Sequence, residues 1–133
     1  MSETSRSPST PPPGRPGAAY GGFQREDLLR YARHFVLPQV GPEGQRSLSD
    51  SSVALVGAGG LGSPVALYLA AAGVGTLAVI DEDLVDLSNL QRQVLHGISH
   101  LGQFKVDSAR ERLWEVNPGV EVVTHRVRLS SSN

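Results

Sequence analysis

Apolar residues in this chain change their period several times after residue 22, and each change predicts an element. In "FQREDLLRYARHFVLPQVG", Leu28, Tyr31 or Ala32, and Phe35 recur at helical spacing, and Pro38 sets an end. Residues 41–44 predict a turn, after which "EGQRSLSDS" leads into the core. Val53 to Val56 form a short apolar run of strand type. A glycine turn follows, then a helix near Ser63 to Ala72 with Pro64 in its first turn, stopped by Gly73. That helix is mostly Ala, Val and Leu, so burial along much of its surface is expected. "TLAVID" predicts a second strand ending on Asp81. After a long polar stretch, Val106, Ala109, Leu113 and Val116 mark one face of a helix closed by "NPG", with Trp114 expected to be partly buried. A third strand is expected within "VEVVTHRVRL". Strands alternating with helices in this way predict an α/β, Rossmann-like fold with a parallel sheet and an added N-terminal helix.

Ahead of these elements, residues 1–22 are Ser, Pro and Gly with little to bury, and they predict a disordered tail. Three strands are few for a doubly wound sheet, and "SSSN" follows soon after the third, so the sequence reads as truncated at that point. A net charge of -1 argues against non-specific binding of nucleic acid or of a membrane surface. With 0 cysteines, thiolate zinc sites, disulfides and cysteine nucleophiles are excluded from this sequence. No apolar run approaches the roughly 20 residues of a membrane span. Nor does the N-terminus have the pattern of a secretory signal, so the expected location is the cytoplasm.

The turn "GAGGLG" satisfies G-x-G-x-x-G through Gly57, Gly59 and Gly62, with a strand before it and a helix after. Such a turn lets the backbone approach a phosphate, and the free amides of the helix start supply positive potential. Asp81 stands about twenty residues on, where a carboxylate can accept from ribose hydroxyls. No "GK[ST]" follows, so this is not a P-loop. The pattern leaves NAD and ATP both open.

"DEDLVDLSNLQRQVLHG" bears on that choice. Nucleotidyl transfer needs fixed cations where charge develops on phosphate oxygens, whereas hydride transfer does not. Arg92 and Lys105 are the cations nearby in sequence, and Asn89 could hold a phosphate oxygen or orient Arg92. Each has a plainer reading: Arg92 in an exposed salt bridge to Asp86 or Asp83, and Lys105 solvated at a helix start. Leu84, Leu87 and Leu90 suggest that the loop packs down.

Three stretches together, "RYARHFVLPQVGPEGQRSL", "VALVGAGGLGSPVALYLAAAGVGTLAVIDEDLVDLSNLQRQVLH" and "LGQFKVDSARERLWEVNPGVEV", resemble the adenylyltransferases that activate ubiquitin-like sulfur carriers. That family includes molybdopterin-synthase and thiamine-biosynthesis adenylyltransferases and ubiquitin-activating enzymes. The resemblance spans nearly everything after Phe23 and implies that residues 23–133 are the N-terminal part of an ATP-binding adenylation domain. It implies that Gly60 lies against the ATP phosphates and that Asp81 binds the ribose. Asn89, Arg92 and Lys105 would contact the phosphates, and Arg33 would reach the triphosphate from the other subunit of a homodimer. Gln93 would pack beside this group without a direct chemical role. The implied reaction joins the C-terminal glycine of a small carrier protein to AMP, with Mg2+ accompanying the triphosphate. The family's magnesium-holding aspartate and zinc-binding cysteine pairs match nothing in this sequence, so structural zinc is expected only in a full-length relative.

His34, His96, His100 and His125 do not form a spaced metal set, and no metal ligand is assigned. Two other readings stay open: a noncatalytic fragment that dimerises or binds a carrier, and an NAD(P)-dependent oxidoreductase.

Overall fold

The computed structural model describes residues 22–133; the expected tail, apart from Gly22, lies outside the described residues. The chain divides into two compact units, one up to Arg46 and one from Ser47 onward.

In the first unit, the predicted single helix is two: α1, Arg25–Arg30, and α2, Ala32–Phe35. Tyr31 separates them with φ -103° and ψ 18°. Its ring is buried and stacks on His34 with centroids 6.0 Å apart. His34 Nδ1 in turn lies 2.6 Å from Oε1 of the fully buried Gln45. Phe23 meets Phe35 edge-on, with centroids 5.2 Å apart. These contacts fix the break at Tyr31. The turn expected over residues 41–44 is instead the start of α3, Gly41–Ser49. Gly41, with φ 57°, opens the helix out of a chain reversal, and Pro42 fits a first turn, where no amide has an intrahelical partner.

The second unit has three parallel strands in the order β1-β2-β3: Ser52–Val56, Thr76–Ile80 and Glu121–His125. The register pairs Val53 with Leu77 and Leu77 with Val122, and likewise Leu55 with Val79 and Val79 with Thr124. Helix α4, Gly62–Ala72, connects β1 to β2, and α5, Lys105–Val116, connects β2 to β3. The core is Leu77 and Val79 from the sheet, Ala66 and Ala70 from α4, and Val106, Ala109 and Leu113 from α5. Each such Val or Leu contributes roughly 1.5–3 kcal/mol by leaving water. Along β1 the alternate residues Ser52, Ala54 and Val56 are exposed, so this strand packs through one face.

That layering corrects two expectations. Helix α4 is fully buried at Ser63, Ala66 and Ala70 only, with Leu67 and Leu69 partly buried against the core, while Val65 and Tyr68 face outward. Trp114 is 65% exposed, because Leu113 and Ala109 take the core-facing stripe of α5. Gly73 ends α4 in the left-handed region at φ 90°, and its amide and that of Val74 take up the Ala70 and Leu69 carbonyls. Asn117, also buried, donates to the Ala70 carbonyl and accepts from the Gly119 amide. The "NPG" turn is thereby tied to the end of α4. No helix among the described residues is long and apolar enough to cross a membrane.

Candidate functional site

At the C-terminal edge of the sheet the strands run directly into the two polar segments singled out above. The Gly57 amide donates to the Ile80 carbonyl, and the Asp81 amide to the His125 carbonyl, so the glycine turn and the Asp81 loop start side by side. Crevices at this edge are where open α/β sheets place their ligands. Gly57 takes φ 100°, a conformation L side chains rarely adopt. A methyl at Gly62 would sit 2.1 Å from the Gly57 carbonyl oxygen, so α4 starts in direct contact with the end of the strand.

Asp81 closes this arrangement. One carboxylate oxygen accepts the Ala58 amide and the other the Asp83 amide, each at 2.8 Å. An ionised carboxylate has about four acceptor positions, so two bonds leave capacity for hydroxyl donors. Arg92 lies beside the turn: its Cδ is 3.7 Å from where a methyl at Gly60 would be. Gln93 Nε2 bears the same relation, at 3.7 Å, to Gly59. The structure therefore brings Gly59, Gly60, Arg92 and Gln93 together, with Asp81 joined to them through Ala58.

The loop holds Arg92 in place by local bonds rather than ion pairs. Asp86 accepts from the Ser88 amide and hydroxyl, while Asn89 Oδ1 accepts from the Asp86 amide at 2.9 Å. The Ser88 hydroxyl, and then its amide, hold the Asp86 carboxyl below the usual carboxylate range. The Asn89 carbonyl takes the amides of Arg92 and Gln93, and Arg92 donates a guanidinium N–H to the Ser88 carbonyl at 3.1 Å. Arg92 makes no ion pair with Asp83 or Asp86; Asp83 instead lies 3.7 Å from Lys105 Nζ. Lys105 is 6% exposed, unlike a solvated lysine at a helix start. Its amide bonds the Asp83 carbonyl, and Val85 pairs with Gln103 and Gly102, which staples the loop to the head of α5.

The expectation that Leu84, Leu87 and Leu90 pack the loop down is corrected for the first two, while Leu90 is half-buried. Leu84 and Leu87 are 51% and 63% exposed, and the buried anchors are Val85, Gln93, Leu95 and His96. Leu84 forms an antiparallel backbone bridge with Phe104. Arg33 lies on α2 in the first unit, with its side chain exposed.

His96 is the residue the sequence did not single out. Its Nε2 is 2.8 Å from the Ala58 carbonyl oxygen and its Nδ1 2.7 Å from Ser108 Oγ. Burial, ahead of all else, pushes the His96 pKa down; nearby Lys105 and His100 add to this, while the Ala58 bond and Asp81 oppose it. As pH falls through the ordinary histidine range near 6.5, the unfolded chain binds a proton here that the folded chain refuses. Stability is therefore expected to fall on acidification, and more steeply in the unsubstituted chain than in His96→Gln. Urea midpoints between pH 7.5 and 5.5 read this, and parallel profiles for the two would remove the assignment.

A cleft of about 360 Å³ also opens beside α5, lined by Gly102, Gln103, Phe104, Asp107, Arg110 and Glu111. It includes no residue of the glycine turn. Among the described residues, no group of three or more His, Cys, Asp or Glu is placed to hold a metal ion.

Comparison with known proteins places the chain in a family. The chain is 48% identical over 127 residues to "Probable adenylyltransferase/sulfurtransferase MoeZ" of Mycobacterium tuberculosis, covering 96% of this chain and 32% of that protein. It is 50% identical over 113 residues to the maize protein "Adenylyltransferase and sulfurtransferase MOCS3-2", covering 85% of this chain and 23% of the maize protein. The chain thus spans a third or less of these relatives. Among solved structures, Escherichia coli MccB with ATP superposes with a TM-score of 0.68 at 31% identity, over 74% of this chain and 31% of MccB. The ThiF family profile matches residues 31–133, and the chain belongs to the ThiF family.

Proposed function

We propose that this chain forms the ATP-binding part of an enzyme that adenylylates the C-terminal glycine of a small ubiquitin-like sulfur-carrier protein. The observation that carries this reading is the meeting of Arg92 with the glycine turn at Gly60, beside the turn amide held by Asp81. A cation fixed there suits a triphosphate, and a nicotinamide has no use for it. The relatives' names, adenylyltransferase and sulfurtransferase, and the ATP found with MccB support the same reading. In this proposal residues 23–133 belong to one adenylation domain.

In the proposed reaction, a carboxylate oxygen of the carrier's last glycine attacks the α-phosphorus of ATP. The bond from that phosphorus to the α,β-bridging oxygen breaks, and pyrophosphate leaves with the electron pair. The carboxylate is already ionised near neutral pH, so no general base is needed. Catalysis then rests on positioning and on fixed positive charge. Asp81 would accept from the ribose hydroxyls with its unused lone pairs, and the Gly57–Gly62 turn would meet the phosphates. Asn89, whose backbone carbonyl organises the Arg92 turn, would offer its side-chain amide to a phosphate oxygen. Arg92 and Lys105 would meet the developing pyrophosphate charge, and Mg2+ would come as the triphosphate's companion. Arg33 would reach the site from a second copy of the chain, making the working unit a homodimer.

Calorimetry on this chain with ATP, AMP and NAD tests the nucleotide assignment. ATP is expected to bind more tightly than NAD, and the reverse order would overturn it. Asp81→Asn keeps a side-chain acceptor and is expected to weaken ATP binding roughly tenfold, in the range for one bond to a charged acceptor. On the carrier side, ATP–pyrophosphate exchange by the full-length enzyme is expected only with a carrier that retains its C-terminal glycine. Mixing Arg33→Ala with Arg92→Ala protein should restore part of that exchange, and no recovery would count against a site shared between copies.

A further inference from the structure

Ala58 is held on both sides, and the nucleotide reading uses only one of the two bonds. Its amide donates to Asp81 Oδ2, and its carbonyl oxygen is 2.8 Å from His96 Nε2. A carbonyl can only accept, so Nε2 carries a hydrogen. In the neutral ring Nδ1 is then bare, and Ser108 Oγ, 2.7 Å away, must donate to it. The groups that face the ring are Lys105 and His100, which disfavour its protonation, and Asp81, which favours it; burial outweighs them. The geometry therefore selects one uncharged tautomer.

The chain contains no cis peptide bond among the described residues, so the Ala58–Gly59 peptide is a planar trans unit. In such a unit the Ala58 C=O and the Gly59 N–H point in opposite directions. Drawing the carbonyl onto a buried imidazole turns the Gly59 amide away from it. Among the described residues neither the Gly59 nor the Gly60 amide has a hydrogen-bond partner. Ser108 lies on α5, so the orientation of this peptide is referred through one imidazole to the helix that also carries Lys105.

We propose that His96, braced by Ser108, is a positioning residue of the nucleotide site: it orients the Ala58–Gly59 peptide so that the Gly59 amide is offered to a phosphate oxygen. The phosphate rests on the ATP reading above, whereas the tautomer and the peptide orientation do not.

Two near-isosteric variants of the chain separate positioning from bulk stability. His96→Gln retains an N–H at the reach of Nε2, and His96→Asn retains a polar group only at the reach of Nδ1. ATP binding is expected within about threefold of the unsubstituted chain for His96→Gln and roughly tenfold weaker for His96→Asn, the worth of one buried hydrogen bond. Urea titration sets the conditions under which both are folded. Equal ATP affinity in folded His96→Asn and His96→Gln would overturn the proposal. Histidine 15N spectra of the unliganded chain give a second readout that needs no nucleotide and no variant. They should show His96 at pH 7.5 with hydrogen on Nε2 and a bare Nδ1, and hydrogen on Nδ1 would overturn it even if ATP binds. Should the unsubstituted chain bind no ATP, the nucleotide reading fails. The spectra then decide the peptide clamp alone.

Discussion

In a full-length enzyme that contains these residues, Arg92→Ala is expected to slow carrier-dependent ATP–pyrophosphate exchange by roughly 10²- to 10³-fold, the usual cost of one fixed donor to developing charge. Stability should stay within about 0.5 kcal/mol, as for an exposed side chain away from special features. The structural reason for the split is that Arg92 is exposed and donates its one described side-chain hydrogen bond, to the Ser88 carbonyl, at the surface. Its aliphatic stem lies over Gly60, which fixes the guanidinium beside the turn in advance of any ligand. Arg92→Lys keeps charge but loses the planar fork, so it should recover only part of the rate. ATP affinity of this chain should fall more than AMP affinity in Arg92→Ala, because the β- and γ-phosphates are what Arg92 is proposed to meet. A normal exchange rate in folded Arg92→Ala would mean that "SNLQRQ" is a packed surface loop with no part in the reaction.

The sequence displayed the elements of the second unit because their signals are local. Val53–Val56, "TLAVI" and the Val106–Val116 stripe carry period and length, and each fell within a residue or two of β1, β2 and α5. The glycine turn was legible for the same reason. What stayed hidden depends on partners that a list of side chains does not contain. His96 is meaningful only beside the Ala58 carbonyl, 38 residues away, and Asn117 only beside that of Ala70. Lys105 reads as solvated until the Val85–Gln103 backbone bonds fold the loop over it. Residues 41–44 misled because Gly and Pro punctuate turns and also open helices, and α3 uses them in the second way. The role proposed for Arg33 would need a second copy of the chain, and no pattern within one sequence carries that geometry.

Gly62→Ala should be the most damaging single methyl in the glycine turn. The added carbon would sit 2.1 Å from the Gly57 oxygen and 3.0 Å from its carbonyl carbon, both backbone atoms. A flexible side chain could swing aside, but these atoms end β1, and the Gly57 amide is bonded to Ile80. Relief requires α4 to move off the strand, which would open the Ala66 and Ala70 contacts with the core. A loss of about 3 kcal/mol or more is expected, at the upper end of overpacking costs. Out of a total near 5–15 kcal/mol for an ordinary domain, that is large enough to see directly in the urea midpoint. Gly59→Ala supplies the contrast. Its methyl would meet only Gln93 Nε2 at 3.7 Å, an ordinary contact, and Gly59 does not use a positive φ. Stability should change by less than about 1 kcal/mol, while ATP binding weakens because the methyl stands on the surface proposed to approach a phosphate. If Gly59→Ala binds ATP as tightly as the unsubstituted chain, the phosphates do not approach the turn at Gly59. If Gly62→Ala is as stable as Gly59→Ala, the close approach of α4 to β1 is not what fixes the turn.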